Sequence, residues 1–416
     1  MTPPLRRDFL KTGGLMLAAS GLGIFSNSNN AVSSSKSSAM LSDAPQPIND
    51  KDRREREERA KALMLKNNMD AILLTGGSSM EYFTGVKWRR SERTFACVIP
   101  REGNTMWVSP GFEADRAEAT IGSGANIYIW EEEESPFKLL AGIFKDLKIN
   151  KGRIGLEETI RYFVSEGLKE AAKDVEFVSA NPVVNGCRGI KTAHEIELLR
   201  YINNVTHNIL QSTFSQMKDG MSQRELATVL SSEYAERGLR EWAIVLFGAN
   251  AAFPHGTDKR ELLFPGQMVL VDTGTSFNGY QSDMTRTVIF GEPSKRQLDA
   301  WNAVKNAQSA ALEKAAPGVK AEDVDKAARK VIEKSGFGKG YSVFTHRVGH
   351  GIGMDGHEFP YLVKGNRLRL QQGMTFSNEP GIYIQGELGV RIEDIMHITE
   401  NGAELLTPQT KSMTEI

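Results

Sequence analysis

The chain has 416 residues and carries 51 lysines and arginines against 52 aspartates and glutamates, giving a formal net charge of −1 at pH 7. This balance leaves no basic surface field to attract nucleic acid or an anionic membrane, so the sequence argues against both as partners. The apolar fraction of 40% and the charged fraction of 25% are typical of a soluble globular protein, and the length is sufficient for two domains.

Residues 1–31 have the pattern of a signal peptide rather than of a folded segment. Arg6 and Arg7 begin the motif RRDFLK, which resembles the twin-arginine export signal of bacteria. The apolar run at 13–25 is too short and too weakly apolar to span a bilayer. We therefore predict export by the twin-arginine route to the periplasm or beyond, without membrane attachment once the signal is removed. An uncleaved anchor or a chance basic N-terminus is the alternative.

The rest of the chain divides into a linker and two predicted domains. Residues 32–50 are rich in serine and asparagine and predict a disordered tether. Residues 51–187 predict an α/β domain, because a charged helix is followed by the buried strand AILLTG, by two strands around an REGN turn, and by a strand, a helix and a strand. Long helical patterns follow, opened by the capping-box spacing of Thr192 and Glu195, and predict a second domain over 188–412.

The chain has two cysteines, Cys97 and Cys187, and no CxxC pair. A thiolate zinc site is therefore not expected. The simplest interpretation is that both are small buried apolar residues, although a single disulfide between them is the alternative in an exported protein.

Two aspartates belong to a predicted β-hairpin in residues 268–290, MVLVDTGTSFNGYQSDMTRTVIF. Asn278-Gly279 is a preferred pair for a type I′ turn, and a turn there places Asp272 opposite Thr285, with Asp283 one diagonal step away on the same face. The two carboxylates are then expected roughly 5 to 8 Å apart. Like charges this close, at the end of an apolar strand, require a metal or a basic partner. A turn aspartate with a separate surface aspartate is the alternative.

A second pair of acids lies in residues 373–399, GMTFSNEPGIYIQGELGVRIEDIMHIT. Glu379 ends one apolar strand and Glu393 lies within another, with the glycine-rich turn QGELG between them. Two antiparallel strands are therefore predicted to carry one inward acid each. Asp394 is expected to point away from Glu393 by alternation, and Glu387 in the turn is expected to be a solvated charge.

Histidine is sparse, with seven residues in the chain, yet His346, His350 and His357 all fall within the glycine-rich stretch THRVGHGIGMDGHEFP. Four inward carboxylates and one imidazole would suit two divalent ions, and His350, between glycines that allow close approach, is the best imidazole candidate. His346 and His357 are then predicted to be neutral donors or acids beside the metal. The remaining histidines that we interpret as ordinary core or surface residues are His194, His207 and His397.

The motifs VDTG, SDMTRT, GHGIG, HEFP, NEPGIY and GVRIEDI, in that order, resemble those of the metal-dependent pita-bread peptidases. The resemblance covers residues 190–410 and is strongest to the branch of Xaa-Pro dipeptidases (prolidases) and Xaa-Pro aminopeptidases. The stretch TGVKWRRSERTFACVIPREG resembles the creatinase-type N-terminal domain of that branch. The implied fold is of the α+β class, with a creatinase-type α/β domain followed by a pita-bread catalytic domain, a curved and mostly antiparallel sheet covered by helices.

The resemblance also implies a role for each polar side chain of the predicted site. Asp272 would chelate one ion, Asp283 and Glu393 would bridge both ions, and His350 and Glu379 would complete the second ion. Glu379 would in addition act as the base toward the attacking water. The further active-site residues that the resemblance implies are His255 in FGANAAFPHG, His346, His357, Arg391 and Tyr383.

The implied activity is hydrolysis of the Xaa-Pro bond at the N-terminus of dipeptides or short peptides by a metal-bound hydroxide. Two divalent ions per chain are expected, with manganese favoured over cobalt, zinc or iron, and the protein is expected to be a homo-oligomer, in the first instance a dimer. Two alternatives stay open. One is a metal-dependent lyase or non-peptide hydrolase on the same fold, and the other is a catalytically inactive binding module, against which the intact ligand set argues.

Overall fold

The computed structural model describes residues 43–414. The predicted signal peptide, with Arg6 and Arg7, lies outside the described residues, as does the predicted linker up to residue 42. Among the helices in the described part of the chain, none combines the length and the apolar character needed to cross a bilayer.

The described end of the predicted linker packs against the second domain. The backbone carbonyl of Gln46 lies 2.8 Å from His194 Nε2, and Ile48 packs against the cluster that contains Ile196 and Leu199. The prediction of a disordered tether is therefore wrong for this short stretch. Ile48 and the Gln46 carbonyl lie in a polar stretch of sequence, but both contact residues of the folded second domain.

The first domain is a mixed β-sheet with helices on both faces. Its strands are β1 (Ala71–Thr75), β2 (Ala96–Pro100), β3 (Met106–Pro110), β4 (Asn126–Trp130), β5 (Arg153–Leu156) and β6 (Glu176–Ser179). Its helices are α1 (Asp50–Lys66), α2 (Ser78–Thr84), α3 (Ala114–Ile121), α4 (Pro136–Asp146), α5 (Tyr162–Ala171) and α6 (Asn181–Arg188). The strand order is β4-β3-β2-β1-β5-β6, in which β1 pairs antiparallel with β2 and parallel with β5. The two strands predicted around the REGN turn are confirmed as β2 and β3, and they pair antiparallel.

Helices on both faces explain why β1 is a continuous apolar run rather than an alternating one. Ile72 and Leu74 enter one core cluster, whereas Leu73 enters the cluster on the opposite face of the sheet. Cys97 and Cys187 are buried in the first of these clusters as free thiols, and burial raises the pKa of the Cys187 thiol to about 12. The interpretation of both cysteines as small buried residues is therefore confirmed.

The second domain begins with two helices, α7 (Ala193–Phe214) and α8 (Gln223–Ala235), and continues with sheets and a further helix pair. The Thr192 side chain caps α7 in a capping box with Glu195, as predicted. The strands and helices that follow are β7 (Glu241–Phe247), β8 (Gln267–Phe277), β9 (Tyr280–Gln281), β10 (Met284–Phe290), α9 (Lys295–Lys314), α10 (Ala321–Lys334), β11 (Gly349–Gly351), β12 (Glu358–Leu362), β13 (Thr375–Asn378), β14 (Gly381–Ile384), β15 (Leu388–Arg391), β16 (Asp394–Ile398) and β17 (Ala403–Leu405).

The strands of the second domain pair antiparallel throughout the described residues. One sheet has the order β10-β8-β7, with β9 also against β8, and a second has the order β12-β11-β13-β16-β17, while β14 and β15 form a separate hairpin. Helices α9 and α10 pack over these strands through a large apolar cluster that includes Trp301, Phe344, Phe376 and Ile392. The antiparallel sheets and covering helices place the polar segments singled out in the sequence on neighbouring strands.

The hairpin of β8 with β9 and β10 has the predicted register. Asn278 and Gly279 both have positive φ, at 50° and 87°, as a type I′ turn requires. Phe277 pairs with Tyr280, and farther along the ladder Asp272 pairs with Thr285. The turn chemistry of two residues thus determines which side chains face each other at the opposite end of the hairpin.

A buried ion pair joins the two domains. Arg56 Nη2 in α1 lies 3.0 Å from Glu195 Oε1 in α7 and 2.7 Å from the hydroxyl of Tyr280, and Arg56 Nη1 donates to the Tyr82 carbonyl at 2.8 Å. The side chains of Arg56 and Glu195 are 5% and 2% exposed. Because removing one partner of such a pair leaves a buried charge unpaired, this contact holds the first helix of each domain together.

Candidate metal centre

The hairpin brings the first two acids together. Asp272 lies in β8, and Asp283 lies in the break between β9 and β10. Both are buried, and one carboxylate oxygen from each lies within 4.8 Å of the other and of a Glu393 oxygen. The carboxylate oxygens are thus slightly closer than the roughly 5 to 8 Å expected for the two side chains.

The second pair of acids meets at the end of another antiparallel ladder. Glu379 directly follows β13 and Glu393 directly precedes β16, and these strands pair with Asn378 opposite Asp394. The two glutamates therefore face each other one step beyond the ladder. The Glu393 amide donates to the Thr285 carbonyl at 3.0 Å, which joins this ladder to the first hairpin and brings the two acid pairs into one site.

Asp394 and Glu387, which the sequence analysis did not include among the metal ligands, have partners outside the cluster of four acids. Asp394 accepts a hydrogen bond from Arg286 Nη2 at 2.6 Å and another from Gln308 Nε2 at 2.9 Å, and is fully buried in that contact. Glu387 pairs with Arg296 at the surface. The expectations from strand alternation and from the glycine-rich turn are both confirmed.

His350 presents one ring nitrogen to these acids. Its Nδ1 lies 3.1 Å from a backbone carbonyl, so this nitrogen carries the proton and Nε2 keeps its lone pair. Nε2 lies 3.3 Å from Glu379 Oε1 and 3.6 Å from Asp283 Oδ2. A Cβ atom added at Gly349 would lie 2.0 Å from the Ser377 carbonyl oxygen, so the close approach of these strands requires the glycine beside His350.

The electrostatics of the cluster fit divalent cations. Burial raises the pKa of Asp283, and the nearby carboxylates of Asp272 and Glu379 raise it further. Burial likewise raises the pKa of Glu393, and it raises that of Glu379 to about 7. Burial lowers the pKa of His350 to about 3, so that the imidazole is neutral at physiological pH. The carboxylate oxygens have too little positive charge around them to balance four acids, and one neutral imidazole lies beside them. Such a set of donor atoms is suited to divalent ions.

Arg391 is the cation of the site and it supports one edge of the cluster. Its Nη2 lies 2.6 Å from Asp272 Oδ2, and its Nε donates to the Thr285 hydroxyl at 2.9 Å. The same hydroxyl lies 2.8 Å from Asp272 Oδ1 and 2.6 Å from Glu393 Oε2. Arg391 and Thr285 therefore fix the orientation of these two carboxylates, and a single arginine does not balance the four acids.

A chain of hydrogen bonds runs from Arg391 through Tyr383 to His346. Arg391 Nη1 donates to the Tyr383 hydroxyl oxygen at 2.9 Å, and that hydroxyl lies 2.8 Å from His346 Nε2. His346 Nδ1 lies 2.8 Å from the Arg347 carbonyl, and burial lowers the pKa of His346 to about 3. Both ring nitrogens of this neutral histidine are thus engaged by the protein, so contact with a substrate would require one of these bonds to be exchanged.

His357 differs from His346 in having a free ring edge. Its ring stacks on that of His350, with centroids 3.7 Å apart and planes 25° apart, and it is otherwise exposed. Its ring nitrogen belongs with atoms of Asp283 and His350 to a group within 4.8 Å. His255 is also exposed and lies close enough to His357 and His346 to lower the pKa of both rings, though burial is the main cause. The described structure thus brings every predicted site residue to one place.

Two polar residues of the centre were not assigned a role from the sequence. Thr285 bridges Asp272 and Glu393, and Ser377 donates to Glu379 Oε1 at 3.1 Å while accepting from the His350 amide at 3.0 Å. A signal existed for each. Thr285 faces Asp272 in the predicted register, and Ser377 in β13 lies two positions before Glu379. Hydroxyl groups are so common in strands that only the folded ladder distinguishes these two.

Comparisons with known proteins agree with this architecture. The model of metallopeptidase family M24 matches residues 197–400, and that of the creatinase/prolidase N-terminal domain matches residues 56–190. An uncharacterized peptidase of Schizosaccharomyces pombe is 35% identical over 360 residues, which cover 82% of this chain and 78% of that one.

Two solved structures extend the likeness to the fold. The dipeptidase PepE of Mycobacterium ulcerans has a TM-score of 0.82 at 30% identity, with 88% of this chain and 98% of that one covered. A prolidase of Thermococcus sibiricus has a TM-score of 0.77 at 31% identity, with coverages of 86% and 98%. The protein is therefore a hydrolytic metallopeptidase of family M24, in which a creatinase-type domain precedes the pita-bread domain that holds the buried acids.

Proposed function

We propose that this metallopeptidase hydrolyses the Xaa-Pro bond at the N-terminus of dipeptides or short peptides and that it binds two divalent ions. The observation that carries the proposal is the convergence of three buried acids, the partly buried Glu379 and His350 beside His357, whose ring edge is free. Similarity over nearly the whole length of a prolidase supports the choice of a proline-containing substrate. Manganese is our preferred metal, because carboxylate oxygens dominate the ligand set.

The proposed ligands are the five side chains predicted from the sequence. Asp272 would hold one ion, His350 and Glu379 would hold the other, and Asp283 and Glu393 would bridge them, consistent with the overlapping groups of ligand atoms within 4.8 Å. Divalent ions bound there supply Lewis acidity, which polarises a carbonyl group and lowers the pKa of a coordinated water toward neutrality. The remaining steps fall to the side chains of the protein.

Glu379 is the proposed proton carrier. Its carboxylate accepts a hydrogen bond from Ser377 and lies 3.3 Å from His350 Nε2, at the edge of the proposed centre where a base would take a proton from a water. In the reaction, water adds to the carbonyl carbon that precedes proline and Glu379 accepts the proton of that water. The carbon–nitrogen bond then breaks and Glu379 delivers the proton to the prolyl nitrogen. That nitrogen carries no hydrogen in the peptide, so its proton must come from the site.

His357 is the proposed donor to the carbonyl oxygen. Its ring makes no hydrogen bond within the part of the chain that the structure describes, whereas both nitrogens of His346 are engaged. A neutral imidazole with a free N–H group can donate to the oxygen as negative charge develops on it. His346 and Tyr383 instead hold Arg391 and, through it, Asp272 in place.

The substrate assignment is tested with a small panel of peptides. We expect Ala-Pro to be hydrolysed far faster than Ala-Ala, with the highest rate when manganese is added to metal-free protein. Including Ala-Pro-Ala separates a dipeptidase from an aminopeptidase, and product analysis by chromatography measures the rates. Hydrolysis of Ala-Ala as fast as Ala-Pro, or turnover of non-peptide substrates alone, would contradict the proposal and favour the alternative of a different reaction on the same site.

The bridging role of Asp283 predicts a loss of metal. Asp283→Asn keeps the shape of the side chain but removes a charge shared between two cations, so we expect metal content well below two ions per chain and no detectable hydrolysis of Ala-Pro. Elemental analysis and steady-state kinetics on one preparation measure both. Glu387→Gln, which removes an exposed carboxylate in the turn between β14 and β15, is the control and should retain both properties. Full occupancy with near-normal turnover in Asp283→Asn would refute the bridge.

The role of His357 predicts a loss of turnover without a loss of metal. For His357→Ala we expect kcat on Ala-Pro to fall by roughly 10²- to 10³-fold, the effect of removing one transition-state donor, with a much smaller change in KM. His397→Ala, which removes a ring paired with Glu404 away from the centre, is the matched control. Unchanged kcat in His357→Ala would return the residue to a packing role, and lost metal would make it a ligand instead.

Export is a separate proposal that rests on the N-terminal sequence alone. We propose that the twin arginines direct the protein through the twin-arginine route into the periplasm or out of the cell. Replacing Arg6 and Arg7 together by lysine should leave active enzyme in the cytoplasm, because the signal precedes both domains. Fractionation with an activity assay measures this, and efficient export of the double variant would show the proposal to be wrong.

The assembly of the protein as a homodimer, expected from the family resemblance, also stays a prediction.

A further inference from the structure

The placement of His357 depends on its backbone. The ring has no hydrogen bond to any residue described, and its stacking on His350 provides no directional polar contact. The residue ends an irregular segment, residues 353–357, and directly precedes β12. A donor that must meet a carbonyl oxygen needs a fixed position, because a misplacement of about 1 Å can cost roughly 10²-fold in rate. Something other than the ring itself must supply that fixation.

The next residue, Glu358, is anchored by two cations from the segment that joins the domains. Its Oε2 lies 2.6 Å from Arg188 Nη2, and its Oε1 lies 2.6 Å from Lys191 Nζ. The three side chains are 8%, 9% and 2% exposed, so the ion pairs are shielded from water. Both carboxylate oxygens are occupied, each by a different cation, and this fixes the carboxylate in position and in rotation.

Arg188 extends the anchor to residues on both sides of His357. Its Nη2 also contacts Asp355 Oδ2 at 2.7 Å, and its Nη1 donates to the hydroxyls of Ser78 at 3.0 Å and Ser79 at 2.8 Å. Asp355 and Glu358 thus hold the residues on either side of His357 to one guanidinium group. Because Ser78 and Ser79 begin α2, that guanidinium group is bound to the first domain as well.

Close packing leaves this anchor no room to shift. A Cβ atom added at Gly353, where the irregular segment begins, would lie 2.5 Å from Glu358 Oε1 and 2.9 Å from Lys191 Cε. On the other side, the Lys191 amide donates to the Gly373 carbonyl at 2.7 Å, which ties the lysine backbone to the second domain. The ion pairs therefore pack directly against the backbone of the segment that carries His357, so a change in their charge is expected to affect the position of that segment.

We propose that Arg188, Lys191 and Glu358 are positioning residues for His357, so that the junction between the domains fixes the donor of the active site. The inference rests on the proposed function, since it takes His357 to be the donor. It also gives the first domain a part in the reaction, because one face of the anchor consists of hydroxyl groups from that domain. None of the three residues is placed in contact with the substrate.

A double-mutant cycle tests this inference. In Glu358→Gln, Lys191 loses its negative partner and Arg188 keeps only Asp355. We expect kcat on Ala-Pro to fall by roughly 10- to 100-fold, with KM within about 3-fold and metal content unchanged. In the His357→Ala background the same change should lower kcat by no more than about 3-fold further, because the donor it positions is already absent. Equal losses in both backgrounds would mean that Glu358 acts only through general stability and would overturn the proposal.

Two further variants guard against a folding defect. Lys191→Met removes one ion pair and leaves the pair of Arg188 with Glu358, so it should lower kcat in the same pattern by a smaller factor. This variant takes the place of Glu358→Gln if that variant does not fold. Arg56→Met is the matched control, because it breaks an equally buried pair between the same domains that does not reach His357. It should lower the melting temperature without the selective loss of kcat. A comparable loss of kcat in Arg56→Met would overturn the proposal.

A spectroscopic readout separates this inference from the proposed function. With only seven histidines, the ring signals of zinc-loaded, histidine-¹⁵N-labelled protein can be assigned by His357→Ala. Glu358→Gln and Lys191→Met should shift or broaden the His357 signals and leave those of His397 unchanged, whatever substrate the enzyme takes. If Ala-Pro is not hydrolysed but these signals move, the substrate assignment fails and the anchor stands. Unmoved His357 signals overturn the anchor.

Discussion

Four carboxylates within a buried space are the constraint on which the second domain depends. Burial and mutual repulsion disfavour their charged forms. Arg391 contacts Asp272 directly and Arg347 also lowers the pKa of Glu379, but two arginines do not balance four acids. Bound cations would relieve this repulsion, and the fold has to hold the four acid side chains close together against it. Two antiparallel ladders, β8 with β10 and β13 with β16, do this, because a strand ladder fixes the separation and direction of side chains more firmly than a loop.

The hydrogen bonds around the acids continue this rigidity outward. Thr285 and Arg391 orient Asp272 and Glu393, and Ser377 links Glu379 to the backbone of His350. Each of these groups is buried and has its own partners, so the ligand atoms cannot rotate away without leaving other polar groups unsatisfied. The exposed His357 is the exception, because its ring has no hydrogen-bond partner among the described residues. Its position therefore depends on its backbone, which the nearby ion pairs of the domain junction hold.

The two domains meet through buried charge rather than through apolar contact alone. Arg56 with Glu195 and Arg188 with Glu358 each join a helix of the first domain or its end to the second domain. Buried ion pairs contribute little net stability, but they penalise any arrangement in which a charge is left alone. They therefore favour one relative placement of the domains. The pair of Arg188 with Glu358 also lies next to the active site, because Glu358 follows His357 in the chain.

The sequence by itself determined the elements with strong local signals. Asn278-Gly279 set the register that pairs Asp272 with Thr285, and glycines beside His350 marked a close approach of strands. The family resemblance supplied His255, Tyr383 and Arg391, which no local pattern singles out. Only the tertiary structure decided that both nitrogens of His346 are engaged while His357 is free, and that residues near Ile48 are packed. Those outcomes depend on contacts between segments far apart in the chain, such as Arg188 with Glu358, for which the sequence carries no spacing rule.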